Sequence, residues 1–244
     1  MSAPVVILSP HPDDAVLGCW SVLEGADAPV HVVNVFAEIP PAGTRGGWDN
    51  ECGVPDSTEM MRRRRAEDER VLAGAGAAAV AHLPFLDSQY DDAPRDVEQI
   101  AAAIRLAVPQ WSALYAPAGT GGFLRIPGTA NMTLAPHPDH EAVRAAALLL
   151  DRPGVPLRFY AELPYALGGS PNGPWTAALA RFTAALEAAT ARRLRLEVLE
   201  LPGDSAARRW GALDGYATQL PRLDEGLGGV LNNADVLRRE AYWS

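Results

Sequence analysis

The chain has 244 residues, of which 48% are apolar and 21% are charged, and its formal net charge is −9. These values are typical of a single globular domain over 1–244, and no apolar run approaches the about 20 residues that a membrane span needs. The acidic balance argues against nucleic acid or a membrane surface as a partner. Because the chain starts without a basic and apolar leader, we expect a cytoplasmic protein, and a homo-oligomer is possible.

Short runs rich in β-branched residues alternate with longer segments rich in Ala, Leu and Arg. The alternation predicts an α/β fold with a Rossmann-like, mostly parallel sheet, helices on both faces and an active site at the C-terminal ends of the strands. Strands are predicted at 4–10, 29–37, 78–85, 113–119, 157–166 and 193–202. Helices are predicted at about 15–24, 57–75, 94–107, 139–151, 173–190 and 204–220.

Two long Gly- and Pro-rich connections, 38–56 and 119–136, follow predicted strands. Loops of this length inside a compact domain are usually functional or disordered, and we expect both to frame a pocket at one rim of the sheet. Their cations are only Arg45 and Arg125. A phosphate group is usually met by clustered arginines or a free helix N-terminus, so the loops favour a neutral or cationic substrate.

Two similar histidine motifs stand where predicted strands give way to helices. His11 to Asp14 read HPDD after the first strand, and His137 to His140 read HPDH after the fourth. Taken alone, Asp14 is a good helix N-cap, which needs no chemistry. Three of the five histidines of the chain lie in these two turns, however, and both turns belong to the rim where ligands bind.

The motifs hold the ligand types of a hydrolytic metal site. Two imidazoles and one carboxylate, His11, Asp14 and His140, leave one coordination position of Zn²⁺ open for a water nucleophile, and Fe²⁺ suits the same ligands. The adjacent Asp13 points elsewhere and is predicted to be the general base.

His137 is left close to the same site. As an imidazolium, it is predicted to protonate the leaving amine or to stabilise the oxyanion, with Asp139 as its candidate orienting partner.

These motifs resemble the zinc-dependent N-deacetylases of the PIG-L or LmbE-like family. The resemblance covers the chain to about residue 166 and is weak over 167–244. It rests on HPDD, on HPDH and on an Arg-x-x-Glu pattern at Arg64 and Glu67. It also rests on FLDSQY, which places Asp87 where the family contacts the sugar. It implies the ligands, base and acid named above, and a substrate contact by Asp87. Arg64 is a candidate substrate contact, and an ion pair with Glu67 or Asp68 on the same helix is the alternative.

The chain departs from the family pattern at three places. Ala15 stands where members commonly have glutamate, and Ala135 and Pro136 stand where many have an aromatic residue and glycine. The oxyanion contact that a tyrosine gives in some relatives would then come from Tyr90, Tyr115 or Tyr165, although packing explains each of them as well. Trp48 in the first long loop is a candidate platform for a sugar ring.

The sequence therefore predicts a zinc-dependent hydrolase that removes an N-acyl group, acetyl above all, from an amino sugar or amino-sugar conjugate. One alternative is an amidase that acts on a thiol conjugate or on a natural-product N-acyl bond. Another is a non-catalytic module that binds metal or sugar, although such a module has no need of a free carboxylate at Asp13. A nucleotide-binding role lacks support because no Gly-rich phosphate loop follows the first strand.

Overall fold

The computed structural model describes residues 2–121, 124–125, 132–133, 136–163, 165–167, 175–226, 229, 231 and 234–244. The strands in these ranges are β1 (Val5–Ser9), β2 (Val30–Asn34), β3 (Ala79–His82), β4 (Ala113–Pro117), β5 (Leu124–Arg125), β6 (Met132–Thr133), β7 (Leu157–Tyr160), β8 (Leu196–Glu200) and β9 (Arg239–Trp243). The α-helices are α1 (Asp14–Gly18), α2 (Trp20–Gly25), α3 (Gly47–Glu51), α4 (Ser57–Gly74), α5 (Val97–Ala107), α6 (Pro138–Leu150), α7 (Trp175–Thr190), α8 (Gly203–Leu213), α9 (Leu220–Gly226) and α10 (Ala234–Leu237).

One seven-stranded sheet carries the fold, in the order β3-β2-β1-β4-β7-β9-β8. The strands from β3 to β7 pair in parallel, whereas β9 pairs antiparallel with both β7 and β8. The predicted α/β class and mostly parallel sheet are confirmed.

Two hydrophobic cores cover the two faces of the sheet. Alternation along β1 sends Val6 and Leu8 into a core shared with α5, α6 and α7, and sends Ile7 into a core shared with α1, α2, α4 and α8. Helices therefore lie on both faces, as the alternation of strands and helices predicts.

Differences from the predicted elements have local causes. The helix predicted at 15–24 is broken at Cys19, which separates α1 from α2. Gly18 ends α1 against the ring of the buried Tyr160, where a Cβ would lie only 2.4 Å from a ring carbon. The sequence did not predict β9, because the strand begins with two charged residues, Arg239 and Glu240, which are unusual in a buried strand. Glu240 in β9 is 3% exposed and accepts hydrogen bonds from the backbone N–H groups of Trp20 and Ser21.

The strand order places the functional rim. The chain runs outward from β1 through β2 to β3 and then returns to β4 on the other side of β1. Connections thus leave in opposite directions at β1 and β4, which is the position where open α/β sheets bind ligands. Among the described helices, none is long and apolar enough to cross a bilayer.

Candidate active site

The turn after β1 is held in an unfavourable backbone conformation. Asp13 has φ 124°, which is rare for any residue other than glycine. The Ser9 hydroxyl braces the turn, because it donates to the His11 carbonyl at 2.7 Å and accepts from the Ala15 N–H at 3.1 Å. Such strain, of about 1–3 kcal/mol, persists only where surrounding contacts fix it, and it is concentrated at functional sites.

Three side-chain atoms converge beside this turn. His11 Nδ1 lies 3.3 Å from His140 Nε2, and each of these nitrogens lies 3.5 Å from Asp14 Oδ2. Ligand atoms bound tetrahedrally to Zn²⁺ at about 2.0–2.1 Å are separated by about 3.4 Å from one another. The triangle therefore has the dimensions of three corners of a tetrahedral metal site.

When the two imidazoles are neutral, hydrogen bonds to carboxylates hold the N–H of each ring on the side away from the triangle. His11 Nε2 lies 3.1 Å from Asp139 Oδ2, and His140 Nδ1 lies 2.9 Å from Glu162 Oε1. Because a carboxylate only accepts, these ring nitrogens are the donors in the neutral rings. His11 Nδ1 and His140 Nε2 then face each other as lone pairs, which is the arrangement of metal-binding histidines oriented by carboxylates.

A second group of possible ligands lies on the other side of His11 and is already neutralised. His11, Asp87 and Asp139 bring one ligand atom each within 4.8 Å of the others. Arg95 Nε donates to Asp139 at 2.7 Å, however, and Arg64 lies 3.5 Å from Asp87. Guanidinium groups occupy the place that a cation would take, so the triangle around Asp14 is the better metal site.

The carboxylates around His11 favour a positive charge at this point. Burial opposes protonation of the ring, but Asp87, Asp139 and Asp14 outweigh it and raise the pKa of His11 to about 10. Burial likewise opposes ionisation of Asp14, yet His140 and His11 lower the pKa of Asp14 to about 2. The site thus attracts a cation, whether a proton on the imidazole or a metal ion.

Asp13 differs from Asp14 in its hydrogen bonding and in its pKa. Its carboxylate has no hydrogen-bond partner within the described ranges and lines the cavity. Burial and the charge of Asp14 raise the pKa of Asp13 to about 8, against the opposing effect of Arg64. An unpaired carboxyl group beside the metal triangle is suited to exchange protons with a bound water or substrate.

The structure changes the roles predicted for the second motif. The Asp139 carboxylate contacts His11, Arg95 and the Ser88 N–H, so it orients His11 and not His137 as predicted. Only its backbone N–H reaches His137, donating to Nδ1 at 3.3 Å.

His137 is accordingly held as a neutral ring. With Nδ1 accepting, the proton of the neutral ring is on Nε2. Burial and the neighbouring His140 and His11 lower the pKa of His137 to about 3. The predicted imidazolium therefore does not fit this ring, which is suited to donate a hydrogen bond to an oxyanion rather than a proton to the leaving amine.

A cavity of about 360 Å³ opens onto these groups. This volume is at the lower end of the range for small-molecule sites, about 300–1,000 Å³. Its walls include every predicted site residue except the fully buried Asp139 and His140: His11, Asp13, Asp14, Trp48, Arg64, Asp87 and His137.

Arg64 and Asp87 form a polar wall of the cavity, which we call the polar wall. Arg64 is buried, and its Nη1 lies 3.5 Å from Asp87 Oδ2. Its Nε has no hydrogen-bond partner among the residues that the structure describes. The two side chains offer a donor and an acceptor to hydroxyl groups of a substrate.

Of the two long loops predicted to frame the pocket, 38–56 is seen to reach the cavity. Loop 38–56 contains α3 and brings Trp48 to the cavity. Most of loop 119–136, including Phe123 and Asn131, lies outside the described residues. Of the three candidate tyrosines, Tyr165 lines the cavity and lies against His137 with ring centroids 6.4 Å apart. Tyr90 instead donates to Asp49, and Tyr115 packs on Tyr242.

The sequence reasoning missed the residues that hold the ligands in place. Glu162 follows β7 and also accepts from the Gly119 N–H at 2.8 Å. An acidic residue at the carboxyl end of an apolar strand run, as in RFYAELP, was the available signal. Ser9 and Arg95 gave no signal, because their roles depend on contacts between distant segments.

Comparison with known proteins agrees with this geometry. The GlcNAc-PI de-N-acetylase family, PIG-L, matches residues 6–150. The chain is 29% identical over 178 residues to the 2'-N-acetylparomamine deacetylase of Streptomyces fradiae, an alignment covering 66% of this chain. The chain spans only 57% of the length of that relative.

Solved structures of deacetylases share the fold over almost the whole chain. A deacetylase of teicoplanin biosynthesis is 25% identical with a TM-score of 0.69, covering 98% of this chain and 96% of the other. The A40926 pseudoaglycone deacetylase is also 25% identical, with a TM-score of 0.67 and coverage of 100% and 97%. The predicted family resemblance is confirmed, and the fold likeness extends beyond the family match to the C-terminal region.

The triangle predicts one divalent metal ion per chain. Replacing His140 by alanine removes one of three ligands, and we expect stoichiometric binding to be lost, as measured by metal analysis after dialysis against a weak chelator. His31→Ala is the matched control, because His31 lies in β2 and does not line the cavity. Equal metal content in wild type and His140→Ala would contradict this assignment.

Proposed function

The chain belongs to the GlcNAc-PI de-N-acetylase family, PIG-L, and from this premise we propose that it is a metal-dependent N-deacetylase. It removes an acetyl group from the nitrogen of an amino sugar that is part of a small natural-product conjugate. The observation that carries the proposal is the triangle of His11, Asp14 and His140 with the unpaired Asp13 carboxylate beside it in the cavity.

His11, Asp14 and His140 would hold the metal ion, for which zinc is the first choice by ligand type and iron(II) the second. A bound divalent ion supplies a Lewis acid that polarises the acyl carbonyl and makes water acidic near neutral pH. Asp139 and Glu162 keep the imidazole rings in the tautomers that leave His11 Nδ1 and His140 Nε2 available to it.

Asp13 is the general base of the proposed reaction. Its carboxylate accepts the proton of the attacking water and can then return a proton to the departing nitrogen. Asp13 and Asp14 both line the cavity, so one turn supplies both the proposed base and a proposed ligand.

His137 stabilises the tetrahedral oxyanion as a neutral donor. Its Nδ1 accepts from the Asp139 N–H, which leaves Nε2–H for the substrate. A preorganised donor of this kind favours the charge that develops on the acyl oxygen. Tyr165 lies beside the ring and is a second candidate for the same oxygen.

Arg64 and Asp87 are the proposed contacts to the amino sugar. Both line the cavity, where the Arg64 guanidinium can donate to, and the Asp87 carboxylate can accept from, the hydroxyl groups of a sugar. Arg64 is already turned toward Asp87, so the wall carries little net charge to attract a phosphate. We therefore propose a neutral or cationic N-acetyl amino sugar, and the deacetylases of 2'-N-acetylparomamine and of teicoplanin biosynthesis are similar proteins whose names agree with such conjugates.

Release of acetate tests the proposed function and the role of Asp13 together. In Asp13→Asn the metal content should be unchanged and kcat should fall by roughly 10²–10⁴, because a positioned general base is lost. The measurement is acetate released from N-acetylglucosamine glycosides, with and without a phosphate group, by the metal-loaded protein. Loss of the metal in Asp13→Asn would make Asp13 a ligand. A clear preference for the phosphorylated glycoside would contradict the proposed substrate class.

His137 variants separate the two possible roles of this ring. His137→Gln keeps a neutral N–H donor, so its kcat should exceed that of His137→Ala by about tenfold. Complete loss of one oxyanion donor typically lowers kcat by about 10²-fold or more, and glutamine should recover part of this. Proton donation by an imidazolium would make the two variants equally inactive. The comparison uses kcat for acetate release at saturating substrate, with metal content measured for both variants.

A further inference from the structure

The C-terminal segment 214–226 forms part of the cavity, although the family match ends at residue 150. Two of its side chains line the cavity: Gln219, which is 5% exposed, and Leu223 on α9. Trp48 of α3 lines the same cavity. These three side chains carry no charge, in contrast to the polar wall of Arg64 and Asp87.

Contacts with α4 fix the segment. The Tyr216 hydroxyl donates to Asp68 Oδ1 at 2.8 Å, and the Thr218 hydroxyl donates to Glu67 Oε2 at 2.7 Å. Glu67, the second member of the Arg-x-x-Glu pattern, therefore anchors the C-terminal segment, while Arg64 one turn earlier faces the cavity. The contacts of Tyr216 and Thr218 with α4 thus fix the position of the neighbouring Gln219.

Trp48 is fixed from the other side. The neighbouring Asp49 is fully buried and accepts from the Tyr90 hydroxyl at 2.6 Å. Glu51, at the end of α3, lies 3.3 Å from Arg222 of α9. The indole is thus carried by a helix that is tied to both the core and the C-terminal segment.

One hydrogen bond joins the two sides and decides the orientation of the Gln219 amide. The Trp48 indole Nε1–H donates to Gln219 Oε1 at 3.3 Å. An indole N–H only donates, so the amide oxygen must face it and the amide NH₂ must point the other way. This NH₂ has no hydrogen-bond partner among the residues that the structure describes, and Gln219 lines the cavity.

We propose that Trp48, Gln219 and Leu223 form a subsite for the aglycone of the substrate, a proposal that rests on the proposed deacetylase function. The ligand class is an uncharged ring with an apolar face and an oxygen acceptor. The ring packs against the indole and Leu223, and the Gln219 NH₂ donates to its oxygen. The amino sugar itself occupies the polar wall near Asp13, so the enzyme prefers glycosides over the free N-acetyl amino sugar.

The test compares two kinds of probe. One is free N-acetylglucosamine, and the other is its 4-methoxyphenyl glycoside, measured separately as the α and the β anomer. Binding is measured by calorimetry in metal-loaded Asp13→Asn protein, which turns the probes over slowly. We expect the glycoside to bind roughly tenfold more tightly than the free sugar, as stacking and one hydrogen bond allow. Adding Trp48→Ala should abolish most of this preference. The affinity for the free sugar should stay unchanged, which checks that each variant is folded.

Gln219 variants isolate the amide donor. Gln219→Glu keeps an acceptor for the indole and loses the NH₂, so the glycoside preference should fall about threefold to tenfold. Gln219→Leu loses both contacts and should reduce the preference at least as far. Arg105→Ala is the control, because Arg105 is exposed on α5 and does not line the cavity, and its preference should equal that of the parent.

Either of two results would contradict the proposed subsite. One is equal affinity of the parent protein for both probes, and the other is a parallel loss of affinity for both probes in the Trp48 and Gln219 variants. Failure of the deacetylase proposal gives a different pattern: protein with Asp13 intact releases no acetate from either probe, while the glycoside preference and its dependence on Gln219 remain.

Discussion

Convergence of two imidazole nitrogens and one carboxylate oxygen is the constraint on which the site depends. His11 Nδ1, His140 Nε2 and Asp14 Oδ2 lie within 3.3–3.5 Å of one another, and three lone-pair donors at this distance repel unless a cation lies between them. The surrounding structure maintains the arrangement: Asp139 and Glu162 hold the far sides of the rings. The fold thus has a place for positive charge at the carboxyl ends of β1 and β4.

The same constraint explains why two adjacent aspartates have different chemistry. Asp14 is stabilised as an anion by His140 and His11, and its Oδ2 accepts from the His11 N–H at 2.9 Å. Asp13 receives no such bond, and its strained backbone, braced by Ser9, directs the carboxylate into the cavity. Sequence neighbours at a sharp turn can therefore act as ligand and base without competing for one ion.

The sequence predicted what is encoded locally. The alternation of strands and helices predicted the mostly parallel sheet, and the two motifs contain the three side chains that converge at one rim. What the sequence hid depends on contacts between distant segments: the Asp139 carboxylate is bound to His11, 128 positions away in the chain. The same is true of Gln219, which reaches Trp48 across 171 positions. No local pattern reports such pairings, and the charged start of β9 concealed a buried strand.

The most direct test of the metal site is a crystal structure of the metal-loaded protein with anomalous diffraction measured on both sides of the absorption edge of the metal. We expect one peak about 2.0–2.1 Å from His11 Nδ1, His140 Nε2 and Asp14 Oδ2, with the Asp13 carboxylate outside the ligand set. A peak bound instead by His11, Asp87 and Asp139, or one that takes Asp13 as a ligand, would contradict it.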